Sequence, residues 1–178
     1  MLKKTKKSQK AKDKQGNFPL EQLEGYYTLL FLFMTTVLQL RERIRSMDID
    51  VISQNSIEET KDEIVKKQKE QLLQGLNAKG EKIGRYRSNK YARAKNQMNP
   101  LPGLGVPDLK LTGAFHAGIN VTINTETFKT ESTDSKGPDL EAKYGNEILG
   151  LNEESKDEYV KESLRPEFLK RIRKITGL

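Results

Sequence analysis

An α+β fold, a small antiparallel β-sheet packed against long α-helices behind a flexible basic N-terminal arm, is what three patterns in this sequence predict. Two long stretches, about 19–47 and 56–74, repeat apolar residues at spacings of three and four. A short stretch at about 118–132 alternates apolar and polar residues. The first sixteen residues hold seven lysines and hardly anything apolar. A chain of 178 residues suffices for one domain with a real core, so residues 17–178 are expected to form a single α+β domain. Only 34% of residues are hydrophobic and 32% are charged, which concentrates that core in a few segments.

The arm, residues 1–16, carries Lys3, Lys4, Lys6, Lys7, Lys10, Lys12 and Lys14 against Asp13 alone. The net charge is +7 for the chain and +6 for the arm, so residues 17–178 are only +1. The body is therefore not a basic domain. Without aromatic residues the arm cannot offset its ordering entropy, and it is expected to stay flexible until it meets nucleic acid or an acidic protein surface. The chain has no cysteine, which excludes disulfides and thiolate metal sites. No hydrophobic signal region follows the arm, so Sec-type secretion is not expected.

Pro19 suits the first turn of the first helix. Within it Leu20, Leu23, Tyr27, Leu30, Met34 and Val37 form one face, but Tyr26 to Leu40 is apolar almost all round. Such a helix has to be covered on most sides. The apolar run of about 15 residues is short of the ~20 a bilayer crossing needs, and Arg41, Glu42, Arg43 and Arg45 close it. One face is expected to pack on its own domain and another on a neighbouring subunit, with Leu29, Phe33, Val37 and Leu40 as the candidate interface.

After a hinge at 48–55, the capping box Ser56-Ile-Glu-Glu59 predicts a second helix that stops at Gly75, with Ile57, Ile64, Gln68 and Leu72 on its buried stripe. Residues 79–95 hold Arg85, Arg87, Arg93 and four lysines against Glu81, with Tyr86 and Tyr91 interleaved. That mixture can hold phosphates and bases, but a charge run is more often a solvated face that meets acidic residues, and that is the reading preferred for it. Pro100 to Pro107 reads as an extended loop. Gly118 to Asn124 and Phe128 to Ser132 read as a hairpin with Ile119, Val121 and Ile123 on one face. A short helix over 139–144 should end at Gly145. A second capping box, Ser155-Lys-Asp-Glu158, predicts a helical region at 155–176, kinked or restarted at Pro166 and buried along Leu164, Phe168, Ile172 and Ile175.

Candidate chemistry is sparse. His116 is the only histidine, so any metal pair or catalytic triad built on histidine would have to rest on it. Its neighbours Phe115, Ala117 and Gly118 indicate a packed or surface residue. Gly103-Leu-Gly105 sits in a proline-rich loop without a preceding strand, which is not a dinucleotide fingerprint. Neither an enzymatic activity nor a cofactor is expected.

Two glycine-marked phrases flank the hairpin: Leu111-Thr112-Gly113-Ala114-Phe115 and Lys143-Tyr144-Gly145. This order of elements resembles that of the head-tail joining and tail-completion proteins at the neck of tailed bacteriophages, in particular ring proteins of crAss-like phages. The resemblance covers about residues 70–178. It implies a virion structural protein, made in the bacterial host cytoplasm, whose copies close into a ring between the portal and the tail and pass DNA through the lumen. Its partners would be further copies of itself, the portal, other neck or tail proteins and the packaged DNA, with no membrane. Two other classes stay open. A nucleic-acid-binding protein would use the arm with Arg85, Arg87 and Arg93, and a small membrane-active protein would use the helix from Tyr26 to Leu40.

Overall fold

The computed structural model describes residues 20–124 and 127–177; residues 1–19 (the lysine arm and Pro19 among them), residues 125–126 and residue 178 lie outside them. Among the described residues, seven α-helices and two strands run in the order α1 (Leu20–Arg45), α2 (Ile49–Leu73), α3 (Asn89–Met98), α4 (Ala114–Ala117), β1 (Ile119–Ile123), β2 (Phe128–Ser132), α5 (Gly137–Tyr144), α6 (Glu153–Tyr159) and α7 (Arg165–Thr176). The strands pair antiparallel with Ile119 opposite Ser132 and Ile123 opposite Phe128. The fold is α+β, a two-stranded sheet packed against long helices. The chain divides into two compact units between Ser46 and Met47, where the sequence reading ran one domain from 17 to 178.

The second helix begins seven residues earlier than expected. Asp48 caps it, its carboxylate accepting from the N–H groups of Asp50 (3.0 Å) and Val51 (3.1 Å), so residues 49–55 of the expected hinge are helix. Ser56 is buried inside α2 instead of capping it, and its hydroxyl donates back to the Ile52 carbonyl at 2.7 Å. The capping-box spacing was met by a serine whose hydroxyl had a nearer acceptor. The helix ends where expected, at Gly75 (φ 70°), where a Cβ would come within 2.6 Å of Val106 Cγ1.

Two buried clusters lie along α2. Leu72 meets Ile83, Phe115, Ile119 and Ile148; about two turns earlier, Ile64 meets Leu151 and Tyr159. Between them two buried glutamines clamp the chain that leads to α6. Gln68 donates to the Ile148 carbonyl (3.2 Å) and accepts from Gly150 N–H (2.7 Å). Gln71 donates to the Gly150 carbonyl (3.0 Å) and accepts from Asn152 N–H (2.8 Å). Each amide thereby satisfies both its ends, the condition under which a polar group is tolerated in a core.

The C-terminal region starts at Glu153, with Asn152 as its cap rather than Ser155: the Asn152 side chain accepts from Ser155 N–H at 2.8 Å. Helix α6 runs into α7 through one π-turn, Val160–Leu164. The cause is Pro166, whose ring would clash with the carbonyl four residues back and which offers no N–H; the wider turn relieves both. Of the expected stripe, Leu164, Phe168 and Ile172 are half-buried and Ile175 is exposed. Helix α3 was not foreseen. Ser88 caps it, accepting from Tyr91 N–H, and it falls in a run whose charges conceal any apolar stripe beyond Ala92.

Candidate functional site

The Pro107–Gly113 phrase is held by a buried ion pair. Lys95, from α3, places Nζ 2.9 Å from Asp108 Oδ1, and the two side chains are only 7% and 3% exposed. Asn99 donates to Asp108 Oδ2 (3.1 Å), Lys110 N–H donates to Oδ1 (3.1 Å) and the Tyr86 hydroxyl points at Oδ1 from 3.5 Å. Burial alone would raise the Asp108 pKa, but the hydrogen bonds from Lys95, Asn99 and Lys110 outweigh it and hold the carboxyl below its ordinary value. Burial and the Asp108 charge push the Tyr86 hydroxyl well up, so it stays protonated.

This hub fixes an unusual turn. Leu109 has φ 51°, the left-handed region that a branched side chain normally avoids. Both polar groups of the next residue are gripped: Lys110 N–H by Asp108, and the Lys110 carbonyl by Lys95 Nζ at 2.5 Å. From the other side His116 Nε2 lies 2.9 Å from the Asp108 carbonyl, and since a carbonyl can only accept, that nitrogen carries the proton. Burial holds the His116 pKa below its ordinary value. The strain at Leu109 is thus held in place from both sides, which is how sparsely populated backbone persists.

Beside the turn opens a cavity of about 390 Å³. Tyr86 and Tyr91 form one wall, edge to face with ring centres 4.9 Å apart. Phe115, Leu109, Leu140 and Tyr144 complete an apolar lining, with Lys143 Nζ 4.8 Å above the Tyr144 ring. Besides Lys95, which is paired with Asp108, four cations line it, Arg87, Lys110, Lys136 and Lys143, against one acid, Asp134. None of the four has a carboxylate partner among the described residues. The arrangement suits an anion attached to an apolar or aromatic body.

Both glycine-marked phrases meet here. Leu111, Thr112, Gly113 and Phe115 line the cavity from one side, and Lys143 and Tyr144 from the other. Gly145 lies just past them and ends α5 with φ 92°. Arg87 is brought to the cavity; Arg85 and Arg93 are exposed outside its lining. The arm lysines, Lys3 to Lys14, lie outside the described residues. Sequence reasoning missed the pairing of Lys95 with Asp108, because a buried lysine inside a basic run looks like its solvated neighbours. It also missed Lys110 and Lys136 as companions of Arg87, since only the fold brings 87, 110, 136 and 143 together.

The proposed interface residues lie on α1, where Leu29, Phe33 and Val37 are exposed and Leu40 is half-buried. From Tyr26 to Met34 every residue but Thr28 is a large apolar one, and all are exposed, Tyr26 at 71% and Phe33 at 69%. At 100° per residue they cover the whole circumference. Thr28 donates its hydroxyl to the Glu24 carbonyl, and Thr35 and Thr36 to that of Leu32, all at 2.8 Å, so the polar groups of the middle turns are already spent within the helix. No helix among the described residues is long and apolar enough to cross a membrane. Comparison with family models, with curated proteins and with solved structures finds no match for this chain.

Proposed function

We propose that the chain is a structural subunit of a tailed-phage virion, a neck ring that joins the portal-bearing head to the tail and lets DNA through its lumen. One observation carries the reading: α1 leaves large apolar side chains exposed around its full circumference, from Tyr26 to Met34. A single helix in water is marginal on propensity alone and draws its stability from packing. Exposed apolar surface on this scale marks an association site. Packing against further copies covers it, and a subunit with two different contact surfaces assembles head to tail, closing a ring when the rotation allows. The resemblance of the Leu111–Phe115 and Lys143–Gly145 phrases to those of neck proteins supplies the particle, and the lysine arm would face DNA or acidic neighbours. No catalytic step is assigned to it.

The test is the mass of the purified chain in solution by light scattering, for the unchanged protein and for Phe31→Asp. The expected outcome is a discrete oligomer that falls apart, or precipitates, in the variant. A monodisperse monomer for the unchanged chain, not retained by portal or tail proteins, would remove the ring.

A second reading, nucleic-acid binding, is favoured by a specific observation: Arg87, Lys110, Lys136 and Lys143 stand together without carboxylate partners beside three tyrosines. Phosphate contacts and base stacking use such surfaces. Its signature is binding to DNA that weakens steeply with salt, one counterion term per phosphate neutralised.

A further inference from the structure

We propose that α1 of one copy docks into the tyrosine-lined cavity of a second copy, with Glu24, Tyr27 and Phe31 as its docking face. The inference rests on the ring reading and names the contact that would build the ring. The cavity calls for an anion on an apolar body, and the chain offers few segments with both. The arm is +6 and is repelled by the cations there. Helix α6 has Glu153, Glu154, Asp157 and Glu158, but its one aromatic residue, Tyr159, is 2% exposed and committed to the core. Between Leu20 and Leu40 the only charged residues are Glu21 and Glu24, and nearly everything after them is apolar.

The spacing fits as well. Glu24, Tyr27 and Phe31 stand at i, i+3 and i+7, one face of a helix, and all three are exposed. Helices that lie in grooves are anchored by side chains at this spacing. A carboxylate one turn ahead of two rings can reach Arg87 or Lys143 at the mouth while the rings enter between Tyr91, Leu140 and Tyr144. Two carboxylates also outweigh the roughly half positive charge at the start of a helix, which would otherwise oppose docking onto cations. The cavity, about 390 Å³, falls in the range of pockets that hold organic groups of this size, ~300–1,000 Å³. Helix and cavity are different surfaces, so each copy is donor to one neighbour and acceptor from the other.

The experiment mixes two variants of the full chain. The donor variant carries Tyr27→Asp and Phe31→Asp; the acceptor variant carries Arg87→Glu and Lys143→Glu. All four positions are exposed, so both variants should keep the melting temperature of the parent. Buried aromatic anchors hold most of the affinity in such contacts, so the donor change should weaken association at least about a hundredfold. Each variant alone should be a monomer where the parent assembles. Their mixture should give a one-to-one dimer and nothing larger, because it contains a single intact helix-cavity pair. A mixture that stays monomeric overturns the docking. A parent oligomer that survives both variants also overturns it and leaves the ring reading standing, whereas a monomeric parent removes both. If assembly is unchanged in the acceptor variant but binding of a single-stranded oligothymidylate is lost, the cavity is a nucleic-acid site and the proposal is wrong.

Discussion

In α1 the threonine hydroxyls are turned onto the helix's own carbonyls and the large apolar side chains are exposed, whereas the unit from Met47 onward buries a lysine, an aspartate and two glutamines. The second arrangement is self-sufficient: every buried amide and charge named above has its partner inside the unit, so its shape does not depend on a neighbour. The first is not, since what α1 exposes is what cores and interfaces are made of. Stability and assembly should therefore be separable by mutation. Changes in the unit should alter melting, and changes in α1 should alter association.

The largest effect on stability should come from Asp108→Ala. It leaves the Lys95 ammonium buried without its counter-charge and releases the Lys110 N–H that keeps Leu109 left-handed. Removing one partner of a buried pair costs about 3–5 kcal/mol. Denaturant unfolding of residues 47–178 within the full chain measures it. A loss under about 1 kcal/mol, the range of exposed pairs, would show that the pair is solvated and that the contrast with α1 is weaker than drawn.

Next in size is the difference between two glycines. Gly145 has φ 92° and ψ 157°, a region essentially closed to other residues, and a Cβ there would meet Glu147 Oε2 at 2.7 Å. Gly103 also has positive φ, 90°, but a Cβ there meets nothing within 4 Å. Gly145→Val should accordingly melt several degrees below Gly103→Val, by about 1–3 kcal/mol of strain. Equal melting temperatures would mean that the end of α5 yields freely.

These sites show what could be read from the residues alone. Gly75 and Gly145 were legible as stops, and β1 and β2 as a hairpin, because glycine and strict alternation act locally. The starts of α2 and α6 were misplaced for a shared reason: Ser56 and Ser155 satisfied a spacing rule, yet Asp48 and Asn152 lay upstream with side chains already in reach of the N–H groups. The cavity was half legible. Tyr86, Tyr91 and the two glycine-marked phrases stood out, but their convergence depends on the Lys95–Asp108 pair, and a buried ion pair leaves no periodicity in the chain.

A smaller effect is expected with pH, again confined to the unit. His116 is buried, neutral and the chain's only histidine, with its pKa held below the ordinary value. The unfolded chain then takes up the proton first. Stability should be constant above the unfolded value of about 6.5 and fall as pH drops through the lower folded value. Asp108, also lowered, adds a further fall below about 4, the ordinary carboxylate range. His116→Gln should remove the fall that begins near neutrality and keep the acid limb. A parent whose stability is flat from pH 7 to 5 would place His116 in water.

The smallest effect on melting should come from deleting residues 1–16, and this deletion sharpens the contrast from the other end. The segment has seven lysines, one aspartate and no aromatic residue, so it has almost nothing to bury and little to contribute to a folded unit. The melting temperature should shift by less than about 1 °C, the scale of a few tenths of a kcal/mol in a domain of this size. Any binding to DNA or to an acidic partner should weaken, and the difference between full and shortened chains should shrink as salt rises, because screening removes what the lysines add. A shortened chain that melts several degrees lower would mean that these lysines have acidic partners within the protein. The charge of +6 in the first sixteen residues against +1 in the rest would then describe a docked segment.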